Sequence, residues 1–235
     1  MTHISLVPDL WRFAAAASQP QLEQCLPEGG QVTRMRNDLH ECMVYEDDLR
    51  IIAAFAGTLG TVPDWLENFR IRTNRDGLHT GFADGSEMFE PSLCELMRGA
   101  REKKRAAIGH SQGGGIAGAF AFRCERYHHM PIDYPVTFGS PPYAQDERCV
   151  PNMLRVVVIG DPVECRGFPG VRRAGSLHFQ GPPGGDVCPL LNHDYASYSW
   201  AIKQRCLRIG DAEGARAMDE LLEHGGHTWR KLECI

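Results

Sequence analysis

Gly109-His110-Ser111-Gln112-Gly113 decides how this chain is read. The five residues follow the pattern G-x-S-x-G, in which a serine sits on a sharp turn between a strand and a helix with its hydroxyl standing clear of the sheet. Two reasons favour glycine on either side: a side chain there crowds the turn, and glycine adopts unusual backbone angles freely. Alone the pattern carries little weight, because about one chain in ten of this composition would show it by chance. Its surroundings carry more. Ala106-Ala107-Ile108 is a short apolar run suited to a buried strand. Residues 113–126 read as a helix, with Ile116, Ala117, Phe120 and Ala121 on one face. Gly114, Gly115 and Gly118 let that helix lie close to a sheet. Upstream, residues 87–104 read as a helix, with Met88, Leu93, Leu96 and Met97 near helical spacing and a basic end at 101–105.

The rest of the chain keeps the same alternation. Residues 8–26 suit a helix broken by Pro20. Residues 42–46 and 49–55 suit two strands joined by the acidic turn Asp47-Asp48. A short helix is expected at 62–69, with Pro63 near its start, and a strand at 69–73. Further strands are expected at 136–138 and 154–159, a weaker one at 176–179, and helices at 194–207 and 212–223. Interleaved strands and helices predict an α/β fold, with a mostly parallel central sheet flanked by helices and a single domain spanning 1–235. The longest irregular stretches, 141–152, 162–175 and 181–192, are of the kind that usually carries function.

Composition narrows the classes. At 235 residues and 43% apolar content, the chain can bury a substantial core. A net charge of −5 gives no reason to expect nucleic acid as a partner. Residues 101–105 mix both signs and read as a solvated helix end. No apolar run approaches membrane-spanning length, and no signal peptide is visible. The nine cysteines are odd in number and lack C-x-x-C spacing, which points to a reducing compartment and a cytoplasmic location. There is no H-E-x-x-H and no zinc-finger spacing. His128-His129 reads as a polar helix end, so neither metal nor cofactor is expected.

A serine hydroxyl needs a general base, and the base needs an orienting carboxylate. In the α/β-hydrolase template these follow the serine in the order acid, then histidine. Asp161 follows the 154–159 strand across Gly160, which places it at a strand end, and Pro162 then turns the chain away. His193 comes after a long loop and directly before a helix. His178 sits inside an expected strand, whereas His224 and His227 lie in a glycine-rich tail. His110 adjoins the serine but points to the opposite face, so it is expected to be packed and hydrogen-bonded. Two donors are needed for a developing oxyanion. One is the backbone N–H of Gln112; the other is Thr58, which closes Phe55-Ala56-Gly57-Thr58 after the 49–55 strand.

Together these blocks resemble the class 3 lipases, the family of the fungal triacylglycerol lipases. Phe55-Ala56-Gly57-Thr58 resembles the family's F-R-G-T segment. Asp64-Trp65-Leu66-Glu67-Asn68 resembles its W-x-x-N region, and His79-Thr80-Gly81-Phe82 its H-x-G-F block. Residues 109–114 resemble G-H-S-L-G-G. Val136-Thr137-Phe138-Gly139-Ser140-Pro141 resembles the strand after the serine, Asp161-Pro162-Val163 the acid, and His193-Asp194-Tyr195 the surroundings of the base. The resemblance implies an α/β-hydrolase fold and a Ser111–His193–Asp161 triad with Thr58 and Gln112 as the oxyanion hole. It also implies an acyl-enzyme, an ester or lipid substrate, and transient contact with a lipid surface. An acyltransferase with the same triad, or a non-catalytic binding module on the same scaffold, is the rival reading. The chain departs from the pattern at Ala56, where the family has Arg, and at Gln112, where it has Leu. Only residues 59–64 separate Thr58 from Trp65, so any lid is short. Leu59, Trp65, Phe82 and Phe168 are either acyl-pocket residues or plain core.

Overall fold

Residues of the central strands enter two different cores in strict alternation, and this fixes the sheet. The computed structural model describes residues 6–37, 39–57, 72–163, 171–183 and 192–225. In strand β3 (Arg50–Phe55), Ile51, Ala53 and Phe55 enter one core while Ile52 and Ala54 enter another on the opposite face. Strand β2 (Glu41–Glu46) repeats the pattern, with Cys42 and Val44 on one side and Met43 and Tyr45 on the other. A strand buried on both faces is the signature of an α/β sheet covered by helices on each side.

The described residues form a seven-stranded sheet in sequence order: β1 (Gln31–Arg36), β2, β3, β4 (Lys104–His110), β5 (Tyr134–Phe138), β6 (Leu154–Val158) and β7 (Ser176–Phe179). β1, β2 and β3 pair antiparallel, and β3 to β7 pair parallel. The β2–β3 connection is the expected acidic turn, in which Asp47 Oδ1 accepts the N–H of Leu49 at 2.9 Å and of Arg50 at 2.8 Å. Because the parallel strands step in one direction, right-handed crossovers put their helices on one face. α2 (Thr80–Glu87), α3 (Glu90–Gly99) and α4 (Gln112–His128) fill that core with Phe82, Leu93, Met97, Ile116 and Phe120. α1 (Val7–Ser18), α5 (Tyr195–Ile209) and α6 (Ala212–His224) cover the other face with Trp11, Phe13, Tyr198, Ile202 and Met218. Each of these large apolar side chains contributes roughly 1.5–3 kcal/mol on burial.

The α/β arrangement is the expected one, with local corrections. Of the helix expected at 87–104, residues 90–99 form α3, Glu87 closes α2, and Lys104 opens β4. Strand β1 and helix α2 were not expected. The 8–26 helix does end ahead of Pro20, which opens a 3-10 turn, Pro20–Cys25. The expected helix at 62–69 lies outside the described residues, as does most of the strand at 69–73. Thr73 itself makes only an isolated bridge to His79. No described helix is long and apolar enough to cross a membrane.

Candidate active site

Strand β4 ends at His110, and α4 begins at Gln112, so Ser111 alone makes the turn between them. Its φ of 56° and ψ of −126° fall in a region that L-residues rarely adopt. The unusual angles therefore sit on the serine, not on the flanking glycines, which corrects one of the two reasons given for those glycines. Their requirement is space. A Cβ on Gly113 would overlap the Phe55 carbonyl oxygen, and one on Gly109 would overlap the Gly113 carbonyl. The Ser111 N–H donates to the Phe138 carbonyl at 2.9 Å, and the Ser111 carbonyl accepts the Gly115 N–H at 3.2 Å.

The structure brings Ser111, His193 and Asp161 together from three elements. The Ser111 Oγ lies 2.8 Å from His193 Nε2, and His193 Nδ1 lies 3.0 and 2.9 Å from the two oxygens of Asp161. A carboxylate only accepts, so Nδ1 carries the hydrogen and Nε2 is the acceptor for the serine hydroxyl. All three residues are at most 5% exposed. Burial at this level strengthens each of these polar contacts relative to water.

Asp161 is set by the end of β6. Gly160, with φ of +87°, turns the chain, and the Asp161 N–H donates to the Val158 carbonyl at 3.0 Å. Oδ1 of Asp161 accepts the Val163 N–H at 2.8 Å, and Oδ2 accepts the Tyr198 hydroxyl at 2.7 Å. His193 stands at the entrance to α5. Its ring stacks on that of His110 at 4.8 Å between centroids and 28° between planes.

His110 lies on the α1 and α5 side of the sheet, as its parity with Ala106 and Ile108 demands. Trp11, Tyr195 and Tyr198 surround it. Neither ring nitrogen has a hydrogen bond of good geometry. The His193 backbone nevertheless approaches closely enough to oppose part of the pKa shift. His110 is therefore packed, as expected, chiefly by aromatic rings, with the His193 backbone as its polar neighbour. Burial, and then the neighbouring His193, holds its pKa well below the ordinary histidine value.

On the oxyanion side, Gln112 is the first residue of α4, so its N–H lies at the positive end of the helix dipole beside Ser111. Thr58, Leu59, Trp65 and Phe168 lie outside the described residues, as does the segment 59–64. Gly57, the residue before Thr58, donates its N–H to Ser18 Oγ at 2.8 Å, and the Ser18 side chain also hydrogen-bonds the Tyr195 phenol. Phe82 is plain core: its ring fills the space over Gly115 and packs against His79. Nearby, buried Glu147 pins the chain after β5. It accepts from Arg173 at 3.0 Å and from the Ala174 N–H at 3.2 Å, while Arg173 also donates to the Ser140 carbonyl at 3.1 Å.

Tyr198 and Ser18 were not singled out as supporting residues from the sequence, and Tyr195 entered only as part of the block around His193. Tyr198 lies in α5, away from Asp161 along the chain, and only the fold brings its hydroxyl to the carboxylate. Among the described residues, no group of three or more His, Cys, Asp or Glu is gathered as a metal ion requires.

No protein-family model and no curated protein matches the chain. Solved structures do. The lipase from Rhizopus microsporus var. chinensis is 13% identical with a TM-score of 0.64, covering 84% of this chain and 86% of its own. Rhizomucor miehei lipase in a propeptide complex is 16% identical with a TM-score of 0.63, covering 76% and 69%. A nonglycosylated Yarrowia lipolytica lipase is 15% identical with a TM-score of 0.61, covering 81% and 82%. At these identities the likeness is one of architecture, and with its mostly parallel, helix-flanked sheet the chain has the α/β-hydrolase fold of the fungal class 3 lipases.

Proposed function

We propose that the protein is a carboxylic-ester hydrolase that works through an acyl-enzyme, with Ser111 as nucleophile, His193 as general base and Asp161 as its orienting acid. As Ser111 Oγ attacks the ester carbonyl carbon, its proton passes to His193 Nε2. The negative charge that develops on the carbonyl oxygen is met by the N–H of Gln112 and by Thr58, which follows Gly57 in the chain. The intermediate collapses when Nε2 returns the proton to the departing alkoxide. Water then attacks the acyl-enzyme by the same route. Asp161 keeps His193 in the required tautomer and stabilises its cation.

The observation that carries this reading is the continuous hydrogen-bond line from Ser111 through His193 to Asp161, at 2.8 Å and 2.9 Å. It stands on a strained serine turn between strand and helix. A neutral His110 under the His193 ring supports it as well, because a second cation there would oppose imidazolium formation. The three solved structures named above are of lipases, which supports acyl esters of lipids as the substrate class.

The test is hydrolysis of an ester series from acetate to palmitate, alongside a triglyceride and a phospholipid, by the wild type and Ser111→Ala. Turnover by the wild type and a loss of about 10³-fold or more in the variant are expected. An unchanged rate in Ser111→Ala overturns the reading.

A further inference from the structure

Away from this site, helix α3 carries Glu90, Cys94 and Arg98 at steps of four, which puts them on one stripe. Helix α4 answers with Cys124 and His128, also four apart. The two stripes meet. Cys94 and Cys124 are side-chain neighbours there, and both are buried in the core between these helices. His128 bridges over this contact: its Nε2 bonds the Glu90 carboxylate, and Arg98 Nη2 lies 3.0 Å from its Nδ1. Arg123 also donates to Glu90. Both sulfurs are free and essentially without exposure, at 1% and 0%. The other buried cysteines described, Cys25, Cys42 and Cys206, have no thiol among the groups acting on them.

We propose that Cys94 and Cys124 are a built modification site: in the presence of hydrogen peroxide they form a reversible disulfide that ties α3 to α4. The Cys94 thiolate attacks one peroxide oxygen, the O–O bond breaks, and hydroxide leaves, giving a sulfenic acid on Cys94. The Cys124 sulfur then attacks the Cys94 sulfur. The S–S bond forms, the S–O bond breaks, and the oxygen leaves as water with the Cys124 proton. Two thiols are oxidised by two electrons, and one peroxide is reduced to two waters.

Three features favour this pair. The two thiols lie on the facing stripes of helices already tied together by the Glu90–His128 hydrogen bond, so each is the other's neighbour across that contact. Cys124, and after it His128 and Arg98, lower the Cys94 thiol pKa against the opposing effect of burial, which favours thiolate on Cys94. Burial also selects the oxidant: peroxide is small enough to enter on local opening, and the second thiol is already in place to resolve the sulfenic acid before further oxidation.

The experiment treats the full chain with a few equivalents of hydrogen peroxide, unfolds it, alkylates the remaining thiols and maps the peptides. A single cross-link between the peptides holding Cys94 and Cys124 is expected, reversed by dithiothreitol. Tm should rise by roughly 10 °C over the reduced protein, as closure of this span predicts. Exposed Cys149 serves as the internal measure of oxidant dose. Alkylation of both Cys94 and Cys124 at a dose that has consumed Cys149 overturns the proposal, as does the same Tm rise in Cys124→Ala. The mapping uses the wild type, so it stands even if that variant fails to fold.

Discussion

The Tyr198 hydroxyl donates to Oδ2 of Asp161 at 2.7 Å, and its oxygen accepts the Val158 N–H at 3.3 Å. The phenol is thus fixed by the very strand that ends at the acid. Gly139 makes room for the pair. Its φ is +54°, and a Cβ there would stand 2.6 Å from the Tyr198 oxygen and 2.8 Å from Asp161 Oδ2. Together with Val163 N–H and His193, Tyr198 leaves the carboxylate a single orientation.

Tyr198→Phe therefore removes a positioning contact while keeping the ring. A hydrogen bond to a carboxylate of this kind contributes about 2 kcal/mol. Steady-state ester hydrolysis should show kcat reduced roughly 10- to 100-fold with KM little changed, because the substrate does not touch this hydroxyl. A change confined to KM would contradict the role assigned to it.

Gly113→Ala tests the geometry of the turn. The added methyl meets the backbone of Phe55 and Ala56, which cannot rotate away as a side chain can. A destabilisation of about 3 kcal/mol is expected, at the upper end for overpacking, and is read as a lower urea midpoint. Equal midpoints for variant and wild type would mean that the turn is looser than described.

Stability should depend on pH through His110. Its folded pKa is depressed, so the unfolded chain takes up a proton near pH 6.5 that the folded protein refuses. The stabilisation is present above about pH 6.5 and is lost as pH falls below it, by up to about 1.4 kcal/mol per pH unit. His40 and His79 are shifted in the same direction by burial and add to the slope. Urea unfolding between pH 7.5 and 5.5 should show a shallower decline in His110→Phe than in the wild type. Parallel profiles would remove His110 from the account.

Ser18 ties the end of α1 to the segment that leads into Thr58. Ser18→Ala leaves the Gly57 N–H without its acceptor and frees the Tyr195 phenol from the same contact. Loss of such a half-buried partner costs about 1 kcal/mol. A roughly tenfold fall in kcat alongside a modest fall in Tm is expected, measured on one ester substrate and by thermal unfolding. Full activity with lowered Tm would assign Ser18 to stability alone.

What could be read from the residues depended on how local the cause was. β4, Ser111 and α4 were legible because a glycine-bounded turn between an apolar run and a small-residue helix is written within twenty residues. Strand β1 was not: Gln31 to Arg36 is an exposed edge with no apolar alternation, and pairing with β2 alone makes it a strand. Helix α2 carries two glycines in eight residues and has little propensity of its own. Phe82 and Ala83, packed on α4, hold it. The helix expected through Lys104 ran too far because a basic stretch reads equally well as a helix end or as the solvated start of a strand. Tyr198 on Asp161, and Arg173 on Glu147, have no sequence signal, since each pair meets only after the sheet has formed.

The central claim is that Ser111 is the nucleophile, activated by His193. Reaction with a fluorophosphonate probe followed by peptide mapping tests it most directly. One phosphonyl adduct on Ser111 is predicted, absent in Ser111→Ala and strongly slowed in His193→Ala. An unlabelled wild type, or an adduct on another residue that survives Ser111→Ala, would contradict it.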